Sequence, residues 1–244
     1  MMPDRFEHYI FTRINCEYPD DPHYPLKLYA RIAERRFDHG WMNDRCEMLA
    51  RYAVPSIKAQ TNQNFKWIIL AHIDMPDEFK AKFEEAHEGL ADVVYTELSP
   101  REYLPEFLDT LVSTPWVIST TLDSDDAISV DFVEHLQASF REEKEYYNFE
   151  RGFMYSPEKG RFYGRRSERN PFISLVEPME NVRGVFCRVH GAAHLEAPIR
   201  QIGERQGYWA QVVHGDNILN KTAHKSKDRG RKYSELSERF KMYV

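Results

Sequence analysis

"PWVISTTLDSDDAISVDF", residues Pro115–Phe132, runs from an apolar, β-branched stretch into three carboxylates, Asp123, Asp125 and Asp126, with only Ser124 between them. Pro115 to Leu122 has the make-up of a buried strand. The segment from Val130 to Glu143 reads as a helix. A strand that hands its chain to a helix through an acidic turn is the unit from which parallel sheets are built.

Working outward, the same alternation recurs on the N-terminal side. "HYIFTR" (His8–Arg13) predicts a first strand and "WMNDRCEMLARYAVPSIKAQ" (Trp41–Gln60) a helix that Pro55 breaks or restarts. "NFKWIILAHI" (Asn64–Ile73) predicts a second strand. The helix predicted over Pro76–Leu90 has Phe79, Phe83 and Ala86 on one face and Gly89 near its end. A third strand is expected at Asp92–Leu98 and a helix at Glu102–Val112, before the fourth strand quoted above. Beyond Tyr146 the pattern changes to short strand-like pieces separated by turn residues, then a basic stretch, and a last helix is predicted over Lys232–Val244. The expected fold is α/β, with a mostly parallel central sheet flanked by helices, a smaller antiparallel layer and a C-terminal helix. No repeat or Pro/Gly-rich linker divides the 244 residues, so a single domain spanning 1–244 is expected.

Composition bounds the function. A net charge of −6 offers no general basic field for a nucleic-acid backbone, so nucleic acid is not an expected partner. No stretch reaches the roughly 20 apolar residues of a membrane span, and the N-terminus lacks a signal-peptide layout, so a cytoplasmic location is expected. Cys16, Cys46 and Cys187 are far apart and in no metal-binding spacing; they read as small core residues.

In open α/β sheets, ligands sit beyond the carboxyl ends of the strands, where the acidic cluster falls. If the chain there is extended, Asp123 and Asp125 point to one side. Like charges that close need a cation between them. Hard oxygen ligands suit Mg²⁺ or Mn²⁺, and an ion held by one or two carboxylates with open positions suits a diphosphate. A turn with a helix N-cap explains one or two of these carboxylates, but hardly three. A calcium loop would place Asp123, Asp125, Asp131 and Glu134 at positions one, three, nine and twelve. Ile128 then stands where glycine is needed and Ala127 where a ligand is, which excludes it.

"VPSIKAQTNQNFKWIIL" (Val54–Leu70) and "TTLDSDDAISVDFVEHLQ" (Thr120–Gln137) resemble the helix–strand opening and the DxD segment of GT-A fold nucleotide-sugar glycosyltransferases. More narrowly, "WMNDRCEMLARYAVPSI", the NPF of Asn170–Phe172 and "WAQVVHGDN" (Trp209–Asn217) resemble a family of bacterial rhamnosyltransferases, over roughly Phe11–Asn220. The resemblance implies a GT-A type sheet whose nucleotide-sugar-binding half is 1–145 and whose acceptor-side half is 146–244. It implies transfer of a sugar, rhamnose by the family's description, from a nucleoside-diphosphate donor to a hydroxyl of a glycan or lipid-linked acceptor. A divalent metal, Mn²⁺ or Mg²⁺, is expected on the diphosphate. On this sequence Asp123 and Asp125 match the DxD, Asp126 is a further metal or donor contact, and His214 matches a late metal or diphosphate ligand, with a hydrogen-bonded core histidine as the other reading. Many relatives hold the nucleobase with an acidic pair after the second strand; here only Asp74 stands there.

Arg13, at the end of the first strand, approaches the phosphates or is a solvated strand-end charge. Arg45, among apolar residues of a predicted helix, needs an acidic or a phosphate partner. For an inverting transfer, Glu177 and Asp216 are the candidates to take the acceptor proton. The runs Arg161–Arg169 and Lys225–Lys232 read as solvated surface, or, for the latter, as a segment that closes over the donor or docks at the inner face of an anionic membrane. Three rivals stand beside this reading. A metal-dependent hydrolase or nucleotidyltransferase would use the same aspartates. A zinc enzyme would use His190 and His194, which share helical i, i+4 spacing, but "HGAAH" lacks the glutamate of a zinc-protease motif and contains Gly191, so these histidines read as structural or acceptor-side. A non-catalytic carbohydrate-binding or assembly protein on the same scaffold would keep the fold without the chemistry.

Overall fold

A computed structural model describes residues 5–17, 33–214 and 230–244. Two sheets organise it. The larger has seven strands: β1 (Phe6–Arg13), β2 (Lys66–His72), β3 (Asp92–Thr96), β4 (Trp116–Thr121), β6 (Glu145–Phe149), β9 (Ser174–Pro178) and β10 (Ile199–Ile202), in the order β10-β6-β9-β4-β1-β2-β3. All run parallel except β9, which is antiparallel to both β4 and β6. The expected α/β fold with a mostly parallel central sheet is therefore present. β1, β2 and β4 are buried on both faces, as their near-continuous apolar runs require. The smaller sheet has the order β12-β8-β7-β11-β5, from β5 (Ala127–Ile128), β7 (Arg151–Ser156), β8 (Arg161–Arg166), β11 (Trp209–Val212) and β12 (Arg231–Lys232). It is antiparallel apart from the β7–β11 pair.

The helices of the first half lie close to their predicted places: α1 (His39–Met48), α2 (Val54–Lys58), α3 (Asp77–Ala86), α4 (Pro100–Leu111) and α5 (Phe132–Ala138). Asp38 caps α1 by accepting the Trp41 N–H at 2.8 Å. Pro55 does not break the chain's helical course. A π turn, Leu49–Ala53, joins α1 to α2, with the Val54 N–H reaching the Leu49 carbonyl. The wider turn makes room for a ring that would clash with the preceding turn of a regular α-helix.

The predicted C-terminal helix is not there. Tyr233–Glu235 forms one 3-10 turn and the rest is irregular. Its backbone groups bond outward instead: the Val130 N–H donates to Arg239 O at 3.0 Å and the Tyr243 N–H to Arg51 O at 2.8 Å. Leu236, Phe240 and Met242 are buried with Tyr52, Tyr155 and Phe162 against the small sheet. Tertiary apolar contact has overridden helical propensity. The two sheets are tied by Trp209, whose indole N–H donates to Phe149 O at 2.7 Å and whose ring stacks on Phe172. Gly152 permits this, since a Cβ there would lie 2.1 Å from the indole. Among the described residues, no helix is long and apolar enough to cross a membrane, and the three cysteines are free and buried.

Beneath the carboxyl ends of the strands a buried polar chain crosses the sheet. Gln137 bonds His8 Nδ1 at 3.2 Å, His8 Nε2 bonds the Thr120 hydroxyl at 2.9 Å, and that hydroxyl meets the Ser174 hydroxyl at 2.7 Å. Burial pushes His8 down from 6.5 to about 3. Above pH 6.5 the ring is neutral folded and unfolded. Between 6.5 and 3 only the unfolded chain takes up the proton, so stability falls with pH by about 1.4 kcal/mol per unit through this residue. Urea unfolding of wild type and His8→Gln across that range is expected to show a shallower acid slope in the variant; equal slopes would remove His8 from the account.

Candidate functional site

The acidic segment leaves β4 not as an extended chain but as a tight turn, with the Asp126 N–H donating to Asp123 O at 3.1 Å. Strand alternation therefore does not aim the carboxylates. The turn separates them, and each meets a different group. Asp125, on the inside of the turn, takes Arg45 Nη1 at 2.9 Å and His214 Nε2 at 2.9 Å on the same oxygen. Asp126 points into the small sheet, where its Oδ1 accepts the Val212 N–H at 2.8 Å. Asp123 is the most exposed of the three and lies 3.6 Å from the Arg13 guanidinium.

The electrostatics follow from these partners. Burial alone pushes Asp125 up, but Arg45 and the bond from His214 outweigh it and hold the carboxyl below the usual range. Asp126 is pushed well above the usual range by burial and by the two carboxylates beside it, against the Val212 amide and the charge of Arg45. Asp123 is shifted upward by desolvation and by Asp125, against Arg13. Desolvation works to lower Arg45, yet Asp125 raises it. The protein thus supplies much of the compensation expected from an external cation. Arg45 and Arg13 face Asp125 and Asp123, and Asp126 is poised to keep its proton.

Arg45 is only 8% exposed, and of the two partners the sequence allowed it, the acidic one is observed. Its guanidinium also lies over the Trp41 ring, 5.3 Å from the centroid. Arg13 lies over the Phe186 ring at 4.5 Å. Asp74 lies two residues past the carboxyl end of β2 with its side chain largely exposed and its N–H donating to His72 Nδ1 at 3.1 Å. Glu177 is not brought to the site. It pairs with Val117 at the opposite end of β4, roughly 15–20 Å along the strand from Asp123, and its oxygens accept the N–H groups of Gly184 at 2.7 Å and Arg183 at 3.2 Å. Asp216 lies outside the described residues, as do Lys225, Lys227 and Arg229 of the basic run. His190 and His194 sit in a 3-10 turn, not on an α-helical face, and His194 Nδ1 is bonded to the Arg169 guanidinium at 2.9 Å, so the pair does not form a zinc site.

Sequence reasoning missed the groups that hold the turn. Gln60 donates to Ser129 O at 2.8 Å and accepts the Val133 N–H at 3.1 Å. Arg239, from the C-terminal tail, meets Asp131 at 3.0 Å and Gly207 O at 2.6 Å. Gln60 lies in the quoted Val54–Leu70 stretch but drew no role there, and Arg239 lies outside every quoted stretch. Asp123 and Asp125 offer the hard oxygens that suit Mg²⁺ or Mn²⁺. Among the described residues no three acidic, histidine or cysteine side chains gather closely enough to cage an ion by themselves.

Compared with known proteins, residues 25–190, well over half of the chain, match the model of a family described as "Putative rhamnosyl transferase". No curated protein matches the chain in sequence. Among solved structures, residues 1–349 of S. aureus TarS are similar with a TM-score of 0.46 and 8% identity, covering 84% of this chain and 60% of that one. TarS 1–349 in complex with UDP gives 0.46 and 10%, covering 85% and 60%. A longer S. aureus TarS structure gives 0.34 and 12%, covering 86% and 37%. The chain spans about 60% of the length of the TarS 1–349 structures it matches.

Arg45→Met leaves the Asp125 carboxylate buried without its guanidinium. A loss of about 3–5 kcal/mol is expected on urea unfolding, and Asp125→Asn added to Arg45→Met should return part of it. A variant as stable as wild type would mean that the pair is not a structural tie.

Proposed function

The chain belongs to the putative rhamnosyl transferase family, and we propose that it moves a sugar from a nucleoside-diphosphate donor to a hydroxyl of a glycan or lipid-linked acceptor. The observation that carries this reading is the meeting of Asp123, Arg13, Asp125 and Arg45 in one crevice, at the carboxyl ends of β1 and β4. Parallel strands open their ligand crevice there. Two arginines offset the carboxylates that would otherwise repel a diphosphate, and guanidinium geometry suits phosphate oxygens.

On this reading Asp123 and Asp125 would hold a divalent ion, which when bound neutralises the diphosphate as it leaves. Arg13 orients a phosphate from the end of β1, where Phe186 fixes its guanidinium plane. Arg45 keeps Asp125 ionised against burial and so keeps an oxygen available as ligand. Asp74 at the end of β2 is the acidic group nearest to where a nucleobase would lie. Rhamnose as the donor sugar rests on the family's description alone. The described part of the basic C-terminal run, Arg231 and Lys232, is exposed, which suits contact with an anionic surface.

A thermal-shift series with UDP-, GDP- and dTDP-sugars, with and without Mn²⁺ or Mg²⁺, tests the reading. At a hundredfold excess over Kd, the right donor adds about 2.7 kcal/mol, roughly 5–10 °C in Tm for a protein of this size. The metal-dependent part of the rise should vanish in the Asp123→Asn, Asp125→Asn double variant. A folded wild type that no nucleotide sugar stabilises would overturn it.

A further inference from the structure

With Glu177 at the far end of the sheet, the titratable side chain of His190 stands within electrostatic reach of Asp123. His190 opens the 3-10 turn His190–Leu195 and is half-buried. Two walls bring it there. On one side, the Thr121 N–H donates to Ile173 O at 3.2 Å and its hydroxyl bonds Pro171 O, so the NPF turn runs beside the end of β4, two residues before Asp123. Arg169, just ahead of that turn, presents its carbonyl to His190 Nδ1 at 3.0 Å. On the other side, the segment leading to His190 carries Phe186, which lies against Arg13, and Arg13 lies against Asp123.

The bond to Arg169 O fixes the tautomer. A carbonyl only accepts, so Nδ1 carries the hydrogen and in the neutral ring Nε2 keeps its lone pair. The charged groups acting on the ring are Asp123, Arg13 and Arg169. Burial lowers its proton affinity, although the Arg169 carbonyl and Asp123 work the other way. A cleft of about 580 Å³, lined by Arg166, Ser167, Glu168, Arg169 and Gly191, adjoins the ring through the last two.

We propose that His190 is the catalytic proton acceptor of the transfer and that the acceptor glycan enters through this cleft, an inference that rests on the transferase reading above. The acceptor hydroxyl gives its hydrogen to Nε2 while its oxygen bonds the anomeric carbon. The bond from that carbon to the nucleoside diphosphate breaks, and the electron pair leaves on the diphosphate beside Arg13. The configuration at that carbon inverts.

Two measurements test this. Long-range ¹H–¹⁵N spectra of the histidine rings at pH 7, assigned with His190→Asn, should show His190 neutral with its hydrogen on Nδ1; an imidazolium or an Nε2–H tautomer overturns the proposal. The asparagine amide keeps a donor for Arg169 O, so this variant preserves the fold contact while removing Nε2. With the donor identified by thermal shift and p-nitrophenyl glycosides as acceptors, His190→Asn should lose about 10²–10⁴ in kcat. It should keep the donor-induced rise in Tm and lose the acid limb of the wild-type kcat/KM profile. A donor-stabilised variant with wild-type kcat overturns this inference alone. A wild type that no nucleotide sugar stabilises overturns it together with the transferase reading.

Discussion

The Arg45–Asp125 ion pair is the contact on which the site depends. Each group alone would be costly to bury, by several kcal/mol. Together they fasten the first crossover helix to the turn that ends β4, and so join two segments eighty residues apart in the chain. The π turn that follows Arg45 lets the helix continue past Pro55 while Tyr52 packs against Tyr155 of the small sheet. His214, arriving from the end of β11, closes on the same Asp125 oxygen. Large sheet, small sheet and crossover helix therefore meet at one carboxylate.

That pair also sets the charge of the crevice. Three ionised carboxylates would repel an approaching diphosphate as strongly as they repel one another. With Asp125 matched by Arg45 and Asp123 by Arg13, and Asp126 biased toward its protonated form, the crevice is close to neutral before any ligand arrives. The carboxylates differ in use because their partners differ. Asp126 ties the turn to β11 through the Val212 amide, Asp125 ties it to α1, and Asp123 is left partly exposed.

Local pattern carried the parallel half of the fold. The strands at His8–Arg13, Asn64–Ile73 and Pro115–Leu122 are apolar on both faces, and such runs between amphipathic segments have few other solutions. The acidic cluster was legible as a site for the same reason, since it falls at a strand's carboxyl end. What was not legible depends on partners distant in sequence. The tail at Lys232–Val244 has helix-forming residues, but Leu236, Phe240 and Met242 are claimed by the small sheet. That Asp123, Ser124, Asp125 and Asp126 form a turn, and that Arg45 chooses Asp125, is decided across the fold and leaves no mark in either segment. His190 reads from sequence as structural or acceptor-side beside a metal motif it does not complete; the contact that orients it is the Arg169 carbonyl, twenty-one residues away.

Glu177 shows how a residue remote from the chemistry still shapes it. Its carboxylate is buried at 1% exposure in β9, and burial raises it while two backbone N–H groups and Lys144 at 3.8 Å hold it back. Those N–H groups belong to Arg183 and Gly184, in the segment that follows β9 as the chain leaves the sheet. Gly184 takes φ +75°, and a Cβ on it would stand 2.6 Å from Leu104 on α4, so neither its conformation nor its space admits a side chain. A carboxylate that satisfies both amides fixes the direction in which the following 3-10 turn, Val185–Cys187, departs. That turn delivers Phe186 to Arg13, and four residues later the chain reaches His190. An acid placed too far away to touch a sugar thus sets the course of the segment that flanks Asp123.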